Sequence, residues 1–226
     1  KKGFPPDLDY VIALDTTLAV TEGIKEIQHT LFEALVLVII VVFVFLQGWR
    51  ATLIPLLAVP VSLVGTFMFF PLFGFSVNTL SLFGLVLAIG LVVDDAIVVV
   101  EAVEHHIEQG LSPKDATLKA MSEVTGPVIA IAVILAAVFV PTAFIPGITG
   151  QLYQQFAVTI AISVVISAFN ALTLSPALCA LLLRPKVKGN GLLQKFYDRF
   201  NEIFGRITGG YVGVCRLAIR KSLLSL

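Results

Sequence analysis

GLVLAIGLVVDDAIVVVE, residues 84–101, decides how this chain is read. It has the apolar density of a membrane-spanning helix, yet it carries two adjacent carboxylates, Asp94 and Asp95. A charged side chain near the bilayer centre costs ~2.5–3.5 kcal/mol even on lenient insertion scales, so two side by side need a reason. At ~100° per residue, Asp95 shares a helical stripe with Ser81, Gly84 and Ala88, and Asp94 lies one face over, above Phe83, Leu87 and Gly90. Small residues at that spacing let another helix approach closely. Both carboxylates are therefore expected to point into a packed bundle. With the span set at 77–100, the pair lies ~9 Å to one side of its middle, at ~1.5 Å per residue.

Two buried carboxylates that close together repel, and each has lost its water. The pair needs a proton or a cation, and no Lys, Arg or His occurs in any predicted span of the chain. A proton that arrives or leaves then changes the local charge balance, which is what a proton relay requires. The competing reading is a static ion pair that holds helices in register. An intramembrane aspartyl protease is a third, but its dyad must converge from two chain segments to share one proton. Neighbours on one helix diverge, and Glu33 and Glu101 sit at span ends. The sequence offers no Ser–His–Asp set, metal cluster or phosphate loop, so an enzyme is not expected.

Composition agrees with a membrane location. Of 226 residues, 58% are hydrophobic and only 13% charged, against about 25% charged in soluble domains. The mean hydropathy is +0.98. A formal net charge of zero argues against a nucleic-acid partner and leaves membrane lipid as the first one. Cys179 and Cys215 lie in or near apolar stretches without metal spacing and read as small buried hydrophobes. The chain opens at Lys1 and closes at Leu226 inside a fresh apolar run, so an internal piece of a longer protein is expected.

Residues 1–17 are polar and contain prolines, with a short strand predicted at 10–14; they read as the tail of a water-exposed domain. A helix is expected to enter the membrane from Leu18. Spans are predicted at about 31–46, 53–73, 77–100, 128–145 and 152–183, the last long enough to tilt or to bend at Pro176. Ser112, Pro113 and Asp115 mark the start of a short helix over 113–124. Its charges read as a solvated face, and His105 and His106, which point apart on a helix, do not form a chelate. After a linker at 185–190, residues 191–204 read as an amphipathic helix lying on the membrane surface, and 211–226 as the approach to a further span. Of the fifteen Lys and Arg, only Lys1, Lys2 and Lys25 fall on the side of the N-terminal segment. The opposite side, with the 101–126 connection and the C-terminal segment, is therefore expected to be cytoplasmic. The fold class is thus an all-α membrane protein, a polytopic transmembrane helix bundle with a cytoplasmic interfacial helix. Thr159, Ser163, Ser167 and Asn170 form a polar stripe on the fifth span, read as interhelical hydrogen-bonding glue in preference to a proton path.

Three blocks carry a family resemblance: FLQGWRATLIPLLAVPVSLVGTF at 45–67, GFSVNTLSLFGLVLAIGLVVDDAIVVVEAVE at 74–104, and VFVPTAFIPGITGQLYQQFAVTIAISVVISAFNALTLSPALCALLLRP at 138–185. Together they resemble the resistance-nodulation-division superfamily, in its multidrug (hydrophobe/amphiphile) efflux branch of the acriflavine-resistance type. The resemblance implies that the five spans are the second to sixth of twelve and that Asp94 and Asp95 match the family's relay pair. It also implies that their partner is a lysine in a second half. It implies further a homotrimeric inner-membrane antiporter that exports small-molecule drugs against proton influx, using the proton gradient and no cofactor. A periplasmic adaptor and an outer-membrane channel are the implied partners, and the N-terminal segment would be periplasmic. Relatives that export heavy-metal ions generally have a single aspartate in this motif, so the doubled aspartate favours the multidrug branch. A heavy-metal exporter or a non-transporting membrane scaffold is the alternative.

Overall fold

The computed structural model describes residues 17–185 and 192–220. They form seven α-helices, and no strand occurs among the described residues. The strand predicted at 10–14 lies outside them. Two compact units divide the chain, Lys1–Leu183 and Arg184–Leu226.

In the first unit, α1 (Thr17–Leu46) and α2 (Trp49–Phe69) form a hairpin, and a short 3-10 turn, Pro71–Phe73, leads out of α2. Then follow α3 (Thr79–Glu108), α4 (Pro113–Thr142), α5 (Gly147–Leu172) and α6 (Leu174–Leu182). Five segments are long and apolar enough to cross a membrane: Val20–Leu46, Trp49–Phe73, Thr79–Glu108, Pro113–Thr142 and Gly147–Leu182. They overlap the five predicted spans, and the fold is an all-α polytopic bundle. α3 is its axis, packing against each of α1, α2, α4, α5 and α6. Val92, Val99, Val100 and Val103 of α3 are fully or almost fully buried in the main apolar cluster, with Ile54 and Val59 of α2 and Val128 of α4. Elsewhere the apolar side chains face outward, as Phe32, Leu37 and Ile40 do on α1 and Val133, Ile134 and Val138 on α4. In a bilayer such a surface has no reason to hide.

The helix ends follow their local chemistry. Gly74, at φ 66°, takes the left-handed conformation that ends the 3-10 turn. Asn78 then caps α3: its side chain accepts from the Ser81 N–H at 2.9 Å, and Ser81 Oγ accepts from the Asn78 N–H at 2.9 Å. Gly110, at φ 95°, terminates the turn after α3. Ser112 caps α4, accepting from the Asp115 N–H at 3.2 Å, with Pro113 in the first turn as predicted.

Two helices differ from expectation. The helix predicted to stop near Val124 instead continues through Thr125-Gly126-Pro127 to Thr142. Pro127 lies inside the helix, as Pro55 and Pro60 do in α2, at the cost of one backbone hydrogen bond each, and the Thr125 hydroxyl donates back to the Met121 carbonyl at 2.5 Å. The fifth span does break, but at Thr173 (φ −123°, ψ −65°) rather than at Pro176. The proline ring excludes the carbonyl four residues before it, that of Leu172, so α5 ends there. Pro176 then occupies the first turn of α6, where its missing N–H costs nothing.

The second unit is α7 (Leu192–Arg220). Where an amphipathic helix over 191–204 and a separate approach from Tyr211 were expected, one helix runs through both. Glu202 pairs with Arg199 at 3.3 Å and with Arg206 at 2.6 Å, which supports the helix on both sides of Gly205. Phe196, Ile203, Phe204, Ile207, Tyr211 and Val214 keep one exposed apolar face along it.

Candidate functional site: the paired aspartates of α3

Asp95 is 7% exposed and lies between α3 and α5, where Ser167 Oγ donates to its Oδ2 at 2.5 Å. The approach of the two helices is set by small residues on the stripe predicted for it: Ser81, Gly84 and Ala88 are all buried. A β-carbon added at Gly84 would come within 3.2 Å of the Phe156 carbonyl oxygen and 3.4 Å of the Thr159 side chain. The N-terminal end of the same contact is tied by the Asn78 side chain, whose amide donates to Gln155 Oε1.

Asp94 is placed differently. It is exposed, on a stripe with Phe83, Leu87 and Gly90, all likewise exposed. The expectation that both carboxylates point into the bundle thus holds for Asp95 alone within these residues. One ~100° step along α3 takes the side chain from the α5 contact to the open face. Among the described residues neither aspartate forms an ion pair.

The polar stripe of α5 is part of the same interface. Ser163 Oγ lies 2.9 Å from Thr66 Oγ1, and Asn170 Nδ2 donates to Ser62 Oγ at 2.9 Å. Ser62, Thr66, Ser163, Ser167 and Asn170 are all buried. Asp95 therefore sits where the polar side chains of α2, α3 and α5 meet, and these hydroxyls and the amide satisfy one another; Thr159, the first residue of the predicted stripe, is buried with its hydroxyl unpaired. The sequence reading did not single out Ser62 and Thr66 of α2, nor did it pair Ser167 with Asp95. The available signal was the i, i+4 spacing of Ser62 and Thr66 inside an apolar helix.

Other titratable groups lie elsewhere. His106 is buried and its Nε2 is 3.1 Å from Glu123 Oε2, joining α3 to α4. His105 turns instead to Gln109, at 2.8 Å. Among the described residues no three His, Cys, Asp or Glu side chains are placed to hold a metal ion. Cys179 is buried and free.

Comparison with known proteins decides the family. The family model described as "AcrB/AcrD/AcrF family" matches residues 1–226. The chain belongs to that family. It thereby falls in the multidrug efflux branch of the resistance-nodulation-division superfamily. It is 53% identical over 210 residues to the multidrug export protein AcrF of Escherichia coli (strain K12), a match spanning 92% of this chain and 20% of the relative. It is 49% identical over 211 residues to the toluene efflux pump membrane transporter TtgB of Pseudomonas putida, covering 92% and 20%. To the multidrug resistance protein MdtF of Escherichia coli (strain K12) it is 46% identical over 218 residues, covering 96% and 21%. The chain thus spans about a fifth of the length of these family members.

Proposed function

We propose that this chain is the first-half membrane domain of a proton-coupled efflux transporter that exports hydrophobic or amphiphilic compounds, with Asp94 and Asp95 as its proton relay. The observation that carries the reading is the position of Asp95: a buried carboxylate in an apolar helix, held by one hydroxyl of a neighbouring helix. An ionised Asp95 accepts from Ser167. A proton on the carboxyl adds a donor that the ionised form lacks and replaces a charge-assisted bond from Ser167 with a weaker neutral one, so the α3–α5 contact loosens. The relay couples proton occupancy to helix packing in this way. Asp94, on the open face of α3, is the side from which a cation on a further helix would engage the pair. One charge moving through 100 mV supplies ~2.3 kcal/mol, enough to bias such a two-state contact when a pH gradient adds to it.

Relatives named as multidrug and toluene efflux transporters support the choice of substrate class. The distribution of Lys and Arg supports an inner-membrane topology with the α1–α2 turn, the α3–α4 connection and α7 cytoplasmic, and the N-terminal segment periplasmic. A homotrimer that works with a periplasmic adaptor and an outer-membrane channel completes the proposed assembly.

The buried hydroxyl contacts that hold α5 to α2 and α3 would also suit a scaffold that only anchors helices, and one experiment separates the two. The full-length protein is reconstituted in liposomes under a pH gradient, with Asp94→Asn and Asp95→Asn beside it. A relay predicts drug-linked proton flux in the parent and none in either variant, with the trimer retained. Normal flux in one variant removes that residue from the relay. A parent without flux whose variants fail to assemble would establish the scaffold.

A further inference from the structure

His106 and Glu123 lie outside the polar junction of α2, α3 and α5, and the relay gives them no task. His106 is in the last turn of α3 and only 4% exposed. Ala116 and Ala120 of α4 are fully buried, and Glu123 follows them on one stripe at i, i+4 and i+7. Small residues at that spacing let α4 close on α3, and the stripe brings Glu123 Oε2 to 3.1 Å from His106 Nε2. The other ring nitrogen has a partner as well. Gln109 directs its amide nitrogen to His105 Nε2, at 2.8 Å, so its Oε1 is the atom that faces His106 Nδ1, at 3.4 Å.

Both ring nitrogens of His106 thus meet oxygen acceptors. A neutral imidazole has one N–H and leaves one of these contacts without a proton, whereas the imidazolium donates to both. The carbonyls at the C-terminal end of α3 favour a cation at this place too. Of the described helices packed on α3, α4 alone brings a charged group into contact with the ring. Lys114, Asp115 and Lys119 of α4 are exposed. The span of α5 holds no Asp, Glu, Lys, Arg or His, and that of α6 holds only the thiol of Cys179. The charged residues and the histidine of α1 all precede Ala34, and Arg50 of α2 makes no hydrogen bond or ion pair with His106. On α3 itself, Glu101, Glu104 and Glu108 line an open basin beside His105, and none of them contacts the His106 ring. We propose that His106 and Glu123 form a proton-operated clamp between α3 and α4. An ion pair closes it when the imidazole is protonated on both nitrogens, and a neutral contact loosens it when one proton leaves. Imidazole ordinarily changes charge between about pH 5 and 8, so the clamp is tight at the acid end of that range and slack at the alkaline end. His106 lies eleven residues and ~16 Å beyond Asp95 on one continuous helix, and the clamp holds that helix whether or not the aspartates relay protons.

Hydrogen exchange reads the clamp directly. The full-length protein in nanodiscs is labelled near pH 6 and near pH 8. The backbone amides of 109–116, which join α3 to α4, are followed after correction for intrinsic exchange. A charge-assisted bond is roughly twice as strong as a neutral one, while Glu123, 54% exposed, is partly screened by water. Protection in the parent should therefore fall about fivefold from the lower pH to the higher. Glu123→Gln keeps an acceptor at a half-exposed position and removes the charge, and His106→Gln keeps a donor and removes the titration. Both should hold protection level across the two pH values. Unchanged protection in the parent overturns the proposal, because a merely structural hydrogen bond gives that result. So does a fall that persists in either variant, because another group then sets it.

Discussion

Replacing Gly84 with alanine and then valine probes the contact that keeps Asp95 beside α5. The added β-carbon meets the Phe156 carbonyl at 3.2 Å and the Thr159 side chain at 3.4 Å. The first is backbone of a packed helix and cannot swing aside. Overpacking of this kind costs ~1–3 kcal/mol, from which alanine recovers ~1 kcal/mol of helix propensity. The net loss for alanine is thus about 0–2 kcal/mol. Valine, with two more methyl groups, exceeds it. The consequence reaches the site because a wedge between α3 and α5 lengthens the 2.5 Å contact of Ser167 with Asp95, and a contact drawn past ~3.5 Å is no longer a hydrogen bond. Gly205→Ala is the control, a mid-helix glycine of α7 with nothing within 4 Å of the added carbon, where only the propensity gain should appear. The assay pairs the melting temperature of the full-length protein in nanodiscs with growth of an efflux-deficient host on toxic dyes. The expected order is Gly205→Ala at or above the parent, Gly84→Ala below it, and Gly84→Val lowest and inactive. A Gly84→Val protein as stable and active as the parent would refute the reasoning.

Two further substitutions read the polar junction. Ser167→Ala removes a hydrogen bond to a charged group, worth ~1.5–3 kcal/mol, and should lower proton-driven export at least several-fold in proteoliposomes at unchanged expression, with Ser167→Thr recovering much of it. Asn170→Leu strips Ser62 of its partner across α2 and α5 and should cost ~1–2 kcal/mol, read as a lower melting temperature. Adding Ser62→Ala should then cost less than it does in the parent, since the two residues share one contact.

The spans were legible because some twenty apolar residues in a row leave few other structures open to the backbone. Helix continuity was harder to read. Thr125-Gly126-Pro127 has the composition of a breaker, but each residue also tolerates helical dihedrals, and only packing decides between the two. At Pro176 the breaker was recognised, but its steric effect falls on the carbonyl of Leu172, so the break appears upstream of the residue that causes it. Asp94 and Asp95 stood out because charge in an apolar helix is rare, but both were expected to face the bundle, and among the described residues only Asp95 does. Which of them turns inward depended on where α5 lies. Ser167 as the partner of Asp95, 72 positions away, has no local signature at all.

The 30 residues of α1 contain no proline and span about 45 Å, against a hydrocarbon layer of ~30 Å, so roughly a third of the helix projects beyond it. Near its N-terminal end a β-carbon added at Gly23 would lie 3.5 Å from the Thr79 methyl, and Ile27 shares a small apolar cluster with Leu82 and Leu85. The helix that carries the aspartates thus grips the N-terminal part of α1. A stiff rod gripped off-centre moves most at its far end: about Ile27, a tilt of about 5° shifts Leu46, about 29 Å away, by about 2.5 Å and Thr17, about 15 Å away, by about 1.3 Å. The larger movement falls at the hairpin with α2, and the projecting tip stays nearly still.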